Sequence, residues 1–201
     1  MIKASNKDCV NSILKLFNHI LESGKFPAIW KSTLLVPLHK SGDKCDPNNY
    51  RAIALSSCLS KLFTSVLNKR LIKYLEVNNL FSSYQFGFRK NRCTSDCVFL
   101  LKTAIDKMFC TKGLKNSSSS KLYVAFVDFR KAFDSVWRKG LFLKMQRLGI
   151  TGGFYNIVKS VYDNTQYKMK LPTGISDGFL SSCGVKQGCN LSPTLFNIFL
   201  K

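Results

Sequence analysis

The sequence predicts an α/β fold, and three observations carry that prediction. Residues 122–127 are apolar without exception, the pattern of a strand covered on both faces. Apolar side chains recur at helical spacing over 8–23, 59–77 and 94–109. Tyr167, Met169 and Leu171 alternate with Lys168 and Lys170, the period of a half-buried strand.

In the first helix Val10, Ile13, Leu14, Phe17, Ile20 and Leu21 form the apolar stripe, and Gly24 is the stop. Two short apolar runs follow, Thr33–His39 and Tyr50–Leu55, joined through the polar turn at 41–44, and they read as a hairpin. Pro37 cannot donate to a ladder, so its strand belongs at an edge or a bulge. Leu59, Leu62, Phe63, Val66, Leu67, Leu71 and Leu75 define the second long helix, and a third begins at Thr94. The serine-rich stretch 115–121 is a loop by composition and marks a boundary between 1–121 and 122–201. Beyond it, helices are expected near 138–148 and 153–163. The strand at 166–171 should turn through Pro172 and Gly178 into a partner at 179–183. Ser192 and Pro193 supply an N-cap and a first-turn proline for a last helix.

The 201 residues carry 31 Lys and Arg against 11 Asp and Glu, a net charge of +20. The excess is spread, with 20 cations against 7 acids up to residue 121 and 11 against 4 after it. Such a chain repels itself when compact, so a polyanion is the natural partner, and nucleic acid is the commonest. Eight cysteines without a Cys-x-x-Cys pair, and only His19 and His39 beside them, exclude zinc-finger spacing and fit reduced thiols. No run approaches the roughly 18 apolar residues of a membrane span, and no secretory h-region opens the chain.

Two strings carry chemistry. In AFVDFRKAFDSV, Asp128 ends an apolar strand, where an ionised carboxylate is costly unless a cation or hydrogen-bond donors meet it. Asp134 lies one short turn further on, near the same rim. Spacing alone leaves open whether these acids hold a metal or merely cap a turn. In GVKQGCNLSP, two glycines bracket Lys186 and Gln187 just before a helix start. That pattern serves either close backbone approach to a ligand or an ordinary hairpin exit. Lys40, Lys44, Arg51, Arg89, Lys90 and Arg92 stand beside turns as phosphate-holding groups do. Phe86 and Phe88 interleave with the last three, in the manner of base-stacking surfaces or of simple core.

Taken in order, FPAIWKSTLLVPLHKSGDKCDPNNYRAIALSS, QFGFRKNRCTSD, AFVDFRKAFDSVW and GVKQGCNLSPTLFNIFL resemble the reverse transcriptase domain of LINE-like, non-LTR retrotransposons. The resemblance implies a right-hand polymerase: a helical fingers region over 1–121, then a partial palm over 122–201 with an incomplete antiparallel sheet, begun by strands at 122–128, 166–171 and 179–183. It implies RNA-directed DNA synthesis on an RNA template with a DNA primer and deoxynucleoside triphosphates. The chain would form one part of a longer retrotransposon polyprotein, in an intracellular ribonucleoprotein, nuclear or cytoplasmic. Lys40, Arg51 and Arg89 match positions that meet triphosphate and template. Asp128, with the backbone carbonyl of Phe129, matches the ligands of catalytic magnesium. Phe133 matches the bulky residue that sits under the sugar and rejects a 2′-hydroxyl, and Gln187 and Gly188 match the loop against the nascent pair. Ala52 and Cys189 depart from the usual proline and serine. The family's paired aspartates do not occur within these residues, so the chain by itself is expected to be inactive. A noncatalytic nucleic-acid-binding domain is the alternative. An exposed apolar sheet edge and poor solubility are further expectations.

Overall fold

The fold is described from a computed structural model, which covers residues 6–110 and 121–201. The serine-rich loop therefore lies, apart from Lys121, outside the described residues.

The helices form where periodicity places them. Helix α1 (Lys7–Ser23) is capped by the Asn6 side chain and closed by Gly24 in the left-handed conformation, whose N–H donates to the Ile20 carbonyl. The short α2 (Ala28–Lys31) leads into strand β1 (Thr33–His39), and a 3-10 turn at Pro47–Asn49 leads into β2 (Tyr50–Leu55). Helices α3 (Cys58–Val77) and α4 (Thr94–Cys110) follow, then α5 (Arg138–Arg147) and α6 (Gly152–Tyr162). Strands β3 (Gln166–Leu171), β4 (Gly174–Ile175) and β5 (Phe179–Leu180) precede the last helix, α7 (Ser192–Leu200).

The core lies among the helices. Phe63, Leu67, Leu71 and Leu75 fall at four-residue intervals along α3, so one buried stripe faces Leu141 and Met145 of α5, Ile157, Val158 and Val161 of α6, and Leu195 and Ile198 of α7. Each fully buried aliphatic side chain contributes about 1.5–3 kcal/mol. Phe17, Phe26 and Trp30 close one end around the Phe63 ring, with Phe17 edge-on at 5.0 Å between ring centres.

The sheet flanks this core in the order β2-β1-β3-β4, with β5 also paired to β3. β1 and β2 are antiparallel from Leu34↔Leu55 to His39↔Tyr50. β1 runs parallel to β3 only over Thr33–Leu35. Pro37 therefore faces a partner, Ala52, on one side alone, which satisfies the edge requirement although β1 is interior at its start.

Four expectations are corrected. The sheet is mixed rather than antiparallel, because β1 and β3 run the same way. The strand expected at 122–128 does not form; Tyr123 and Phe126 are each 85% exposed. A strand apolar on both faces needs neighbours along its edges and cover above and below, and among the described residues nothing pairs with it. The partner strand expected at 179–183 is shortened to Phe179–Leu180. Finally, Leu191 rather than Ser192 is the N-cap of α7, because the Ser192 hydroxyl is buried against the Tyr162 hydroxyl at 3.2 Å. Exposed Tyr123, Phe126 and Val127, with Val98, Phe99 and Leu100 of α4, leave apolar surface uncovered. Cys9, Cys45, Cys58, Cys93, Cys97, Cys183 and Cys189 are unpaired.

Candidate functional site

Two loops and one hairpin converge on a cleft. The hairpin loop is closed by Lys40 N–H donating to the Asn49 carbonyl at 2.8 Å, which sets Lys40 and Arg51 at the turn end of the hairpin. The segment after Val127 turns at Lys131, whose φ is +52°, and the Asp134 and Ser135 N–H groups both donate to the Lys131 carbonyl at 3.0 Å. This turn carries Asp128, Phe129, Phe133 and Asp134 past the hairpin. Lys131 Nζ donates to Asn48 Oδ1 at 2.9 Å and ties the two together.

The glycine-flanked loop is stitched to both. Gly184 N–H donates to the Val136 carbonyl and Val185 N–H to the Phe133 carbonyl, each at 2.8 Å. Ala54 N–H of β2 donates to the Gln187 carbonyl at 2.8 Å, so the loop covers the outer edge of the sheet. Both glycines are required. A Cβ on Gly184 would lie 2.8 Å from the Asp134 carbonyl oxygen, and one on Gly188 would lie 2.9 Å from that of Ala54; both residues have positive φ.

The result is a cleft of about 500 Å³ lined by Lys40, Arg51, Asp128, Phe129, Phe133 and Gln187, together with Arg130, Lys131 and Asp134. Six residues singled out from three separate stretches of sequence thus share one space. Gly188 sits behind it, holding the loop. Arg89 does not line it: its guanidinium pairs with Glu76 at 2.8 Å, donates to the Ser82 carbonyl and lies over the Phe81 ring. Arg92 donates to the Ser83 carbonyl and lies over Phe86, so both arginines of that string brace its own turn.

Cations outnumber acids in the cleft, and the acids are two exposed carboxylates, Asp128 and Asp134. Polyphosphate is complementary to the first set, and a hard divalent cation to the second. Among the described residues no three His, Cys, Asp or Glu side chains converge.

Behind the cleft the structure holds two cations whose burial the sequence does not show. Arg138 is only 7% exposed and donates to the carbonyls of Gly184, Tyr162 and Ser181 at 2.8, 3.3 and 2.5 Å. It fastens the loop from beneath. Lys186 is 4% exposed, and burial pushes its ammonium down to about 8. Burial raises the Tyr162 hydroxyl well above its ordinary range, and the Tyr167 hydroxyl also rises. Nothing in composition distinguishes these cations from the solvated majority; only the loop that closes over them does.

The sequence profile described as reverse transcriptase (RNA-dependent DNA polymerase) matches residues 38–201, more than three-quarters of the chain and every part of the cleft. This chain belongs to the reverse transcriptase family. Its relatives sit on the non-LTR branch. It is 29% identical over 199 residues to a probable RNA-directed DNA polymerase from transposon X-element of Drosophila melanogaster, covering 98% of this chain and 21% of the relative. It is 31% identical over 190 residues to the RNA-directed DNA polymerase from mobile element jockey of the same species, covering 92% and 19%. With the Pol polyprotein of the type-1 retrotransposable element R2 of Popillia japonica it shares 32% over 183 residues, covering 90% and 24%. The chain spans about a fifth of the length of these curated relatives. Within this reverse transcriptase domain the α/β architecture holds, and no helix among the described residues is long and apolar enough to cross a membrane.

Proposed function

We propose that the cleft receives a deoxynucleoside triphosphate with magnesium, and that the domain serves RNA-directed DNA synthesis by a longer protein of the non-LTR type. The observation that carries this reading is the convergence of Lys40, Arg51, Asp128, Phe133 and Gln187 on one space. In it, β1, β2 and the hairpin act as fingers over the phosphates, with Lys40 as a point charge and Arg51 as a planar fork. Asp128 and the Phe129 carbonyl would hold magnesium, with Asp134 a weak third donor beside them; the ion would lower the charge of the triphosphate and support attack by a primer hydroxyl. Phe133 lies under the sugar and excludes a 2′-hydroxyl. Gln187, held by its own carbonyl to β2, faces the base, and an uncharged amide there serves all four bases. The basic surface carries template and primer through their phosphates, with Arg89 contributing from its separate turn.

Magnesium keeps its water unless several anionic oxygens replace it, and two ions about 4 Å apart need more than these two carboxylates. The 201-residue chain is therefore expected to bind nucleotide without extending a primer. Titration with dUTP tests the site. Magnesium should strengthen binding to the wild type, Asp128→Asn should remove that dependence, and Arg51→Ala should weaken binding about tenfold, the worth of one charge-assisted hydrogen bond. If both variants bind dUTP as the wild type does, the cleft is not a nucleotide site. Magnesium-dependent primer extension by this chain, lost in Asp128→Asn, would refute the expectation of inactivity.

A further inference from the structure

Phe133 does not stand alone in the cleft. Its ring lies parallel to that of Phe196 in α7, with centres 5.1 Å apart and planes at 17°. Phe88 meets the Phe133 ring edge-on, at 6.1 Å and 89°. We propose that this three-ring stack fixes the sugar-selective wall of the cleft, with Phe88 and Phe196 as positioning residues and the Gln85–Asn197 amide pair as their clamp. The proposal rests on the reading that Phe133 lies under the nucleotide sugar.

Phe88 is the telling member. It is a bulky residue at φ +57°, and its side chain is largely exposed. Left-handed backbone costs an L residue roughly 1–2 kcal/mol, and an exposed ring recovers little of that from burial. The turn is nonetheless held there from both sides. Asn197 Nδ2 donates to the Gly87 carbonyl at 3.0 Å, and Gln85 Nε2 donates to Asn197 Oδ1 at 3.0 Å and to the Gly87 carbonyl at 3.2 Å. On the far side Arg89 is anchored by Glu76 and by the Ser82 carbonyl. Asn197 is buried, and its amide is spent entirely on this turn. Phe196 and Asn197 are neighbours on α7, so one helix supplies both the floor under Phe133 and the clamp for Phe88.

The physical need is stiffness. A wall rejects one extra oxygen only if it does not yield by about the size of that atom, and an unsupported phenylalanine changes rotamer at little cost. A parallel contact from Phe196 and an edge contact from Phe88 restrict that freedom. This also accounts for the string QFGF: its glutamine and glycine build the clamp, and its second phenylalanine is the part delivered.

The test uses dUTP and UTP, which differ only at the 2′ position, titrated against the 201-residue chain with magnesium. An apolar wall rejects an added hydroxyl by about 100-fold at most, so the wild type should favour dUTP by about 10- to 100-fold. Phe133→Val should level the two. Phe88→Leu, Phe196→Leu and Asn197→Ala should each cut the preference about three- to tenfold, the worth of one aromatic pair, by tightening UTP while dUTP affinity stays put. Phe88→Tyr keeps the ring and should keep the preference. Phe88 is on an exposed turn, so its variants report even if Phe196→Leu unfolds. Should Phe133→Val level the ratio while Phe88→Leu and Asn197→Ala retain the wild-type value, the stack is ordinary packing and the proposal fails alone. A wild type that takes dUTP and UTP equally overturns the sugar role of Phe133 and this proposal together. The Arg51 and Asp128 variants then still report whether nucleotide binds.

Discussion

Gly184→Ala is expected to destabilise the domain by about 2–5 kcal/mol, the sum of roughly 1–2 for a left-handed backbone and about 1–3 for forcing atoms together. At φ +79° the new methyl carbon would lie 2.8 Å from the Asp134 carbonyl oxygen and 3.1 Å from its carbonyl carbon and Cα. Those are backbone atoms of the turn that carries the cleft acids, and they cannot swing aside. Relief would come from parting the two loops, at the expense of the hydrogen bonds from Gly184 to Val136 and from Val185 to Phe133. Gly152→Ala separates the two contributions. Gly152 has φ +65° but nothing within 4 Å of the added carbon, so it should lose only the backbone part, about 1–2 kcal/mol. Urea unfolding of both variants decides the matter; equal midpoints would mean that the close approach at Gly184 does not exist.

That glycine marks the limit of what sequence shows. Its position before a helix start was visible, along with the apolar stripes of α1, α3 and α4, because helical burial is local: the pattern repeats within a few turns of one element. The hairpin was legible for the same reason, since 41–44 lies between two short apolar runs. The strand at 122–127 was misread because its burial depends on partners that local pattern does not contain. Lys131, too, gave no hint that it reaches Asn48, 83 positions away, to hold the acid-bearing turn against the hairpin.

The cleft divides in the same way. Lys40, Arg51, Asp128, Phe133 and Gln187 came from strings whose wording is family-like, and the fold sets them together. Arg89 came from an equally family-like string, but Glu76 on α3 meets it first. Phe88 was ambiguous between a stacking surface and core, and proves to be neither: it packs against another side chain of the site. The burial of Arg138 and Lys186 was invisible because a lysine or arginine is surface by default, and only the closure of 184–188 over α5 and β5 encloses them.

Lys186→Met is expected to stabilise the domain, by about 3 kcal/mol at neutral pH. Lys186 is 4% exposed as a residue and belongs to no ion pair among the described residues. Burial is the main cause of its fall from 10.5 to about 8; Cys189 opposes the fall, while Arg138 and Lys31 add to it. At pH 7 the group is still protonated, so the native state carries a desolvated charge that the unfolded state carries in water, and each unit of the shift is about 1.4 kcal/mol. Methionine keeps the length of the stem and removes the charge. Between pH 8 and 10.5 the unfolded chain binds the proton that the native chain has given up, so wild-type stability rises with pH over that window. The advantage of Lys186→Met should therefore shrink from pH 8 and be gone by about pH 10.5. Tyr162 and Tyr167 act in the opposite sense at the alkaline end. Their raised values keep protons on the native state that the unfolded state releases above about 10, which costs stability in both proteins alike. Subtracting the variant's urea-unfolding free energy from the wild type's at each pH removes that shared contribution. A variant less stable than the wild type at pH 7, or a difference that does not narrow above pH 8, would mean that the ammonium has found a partner beneath the Gln187 loop.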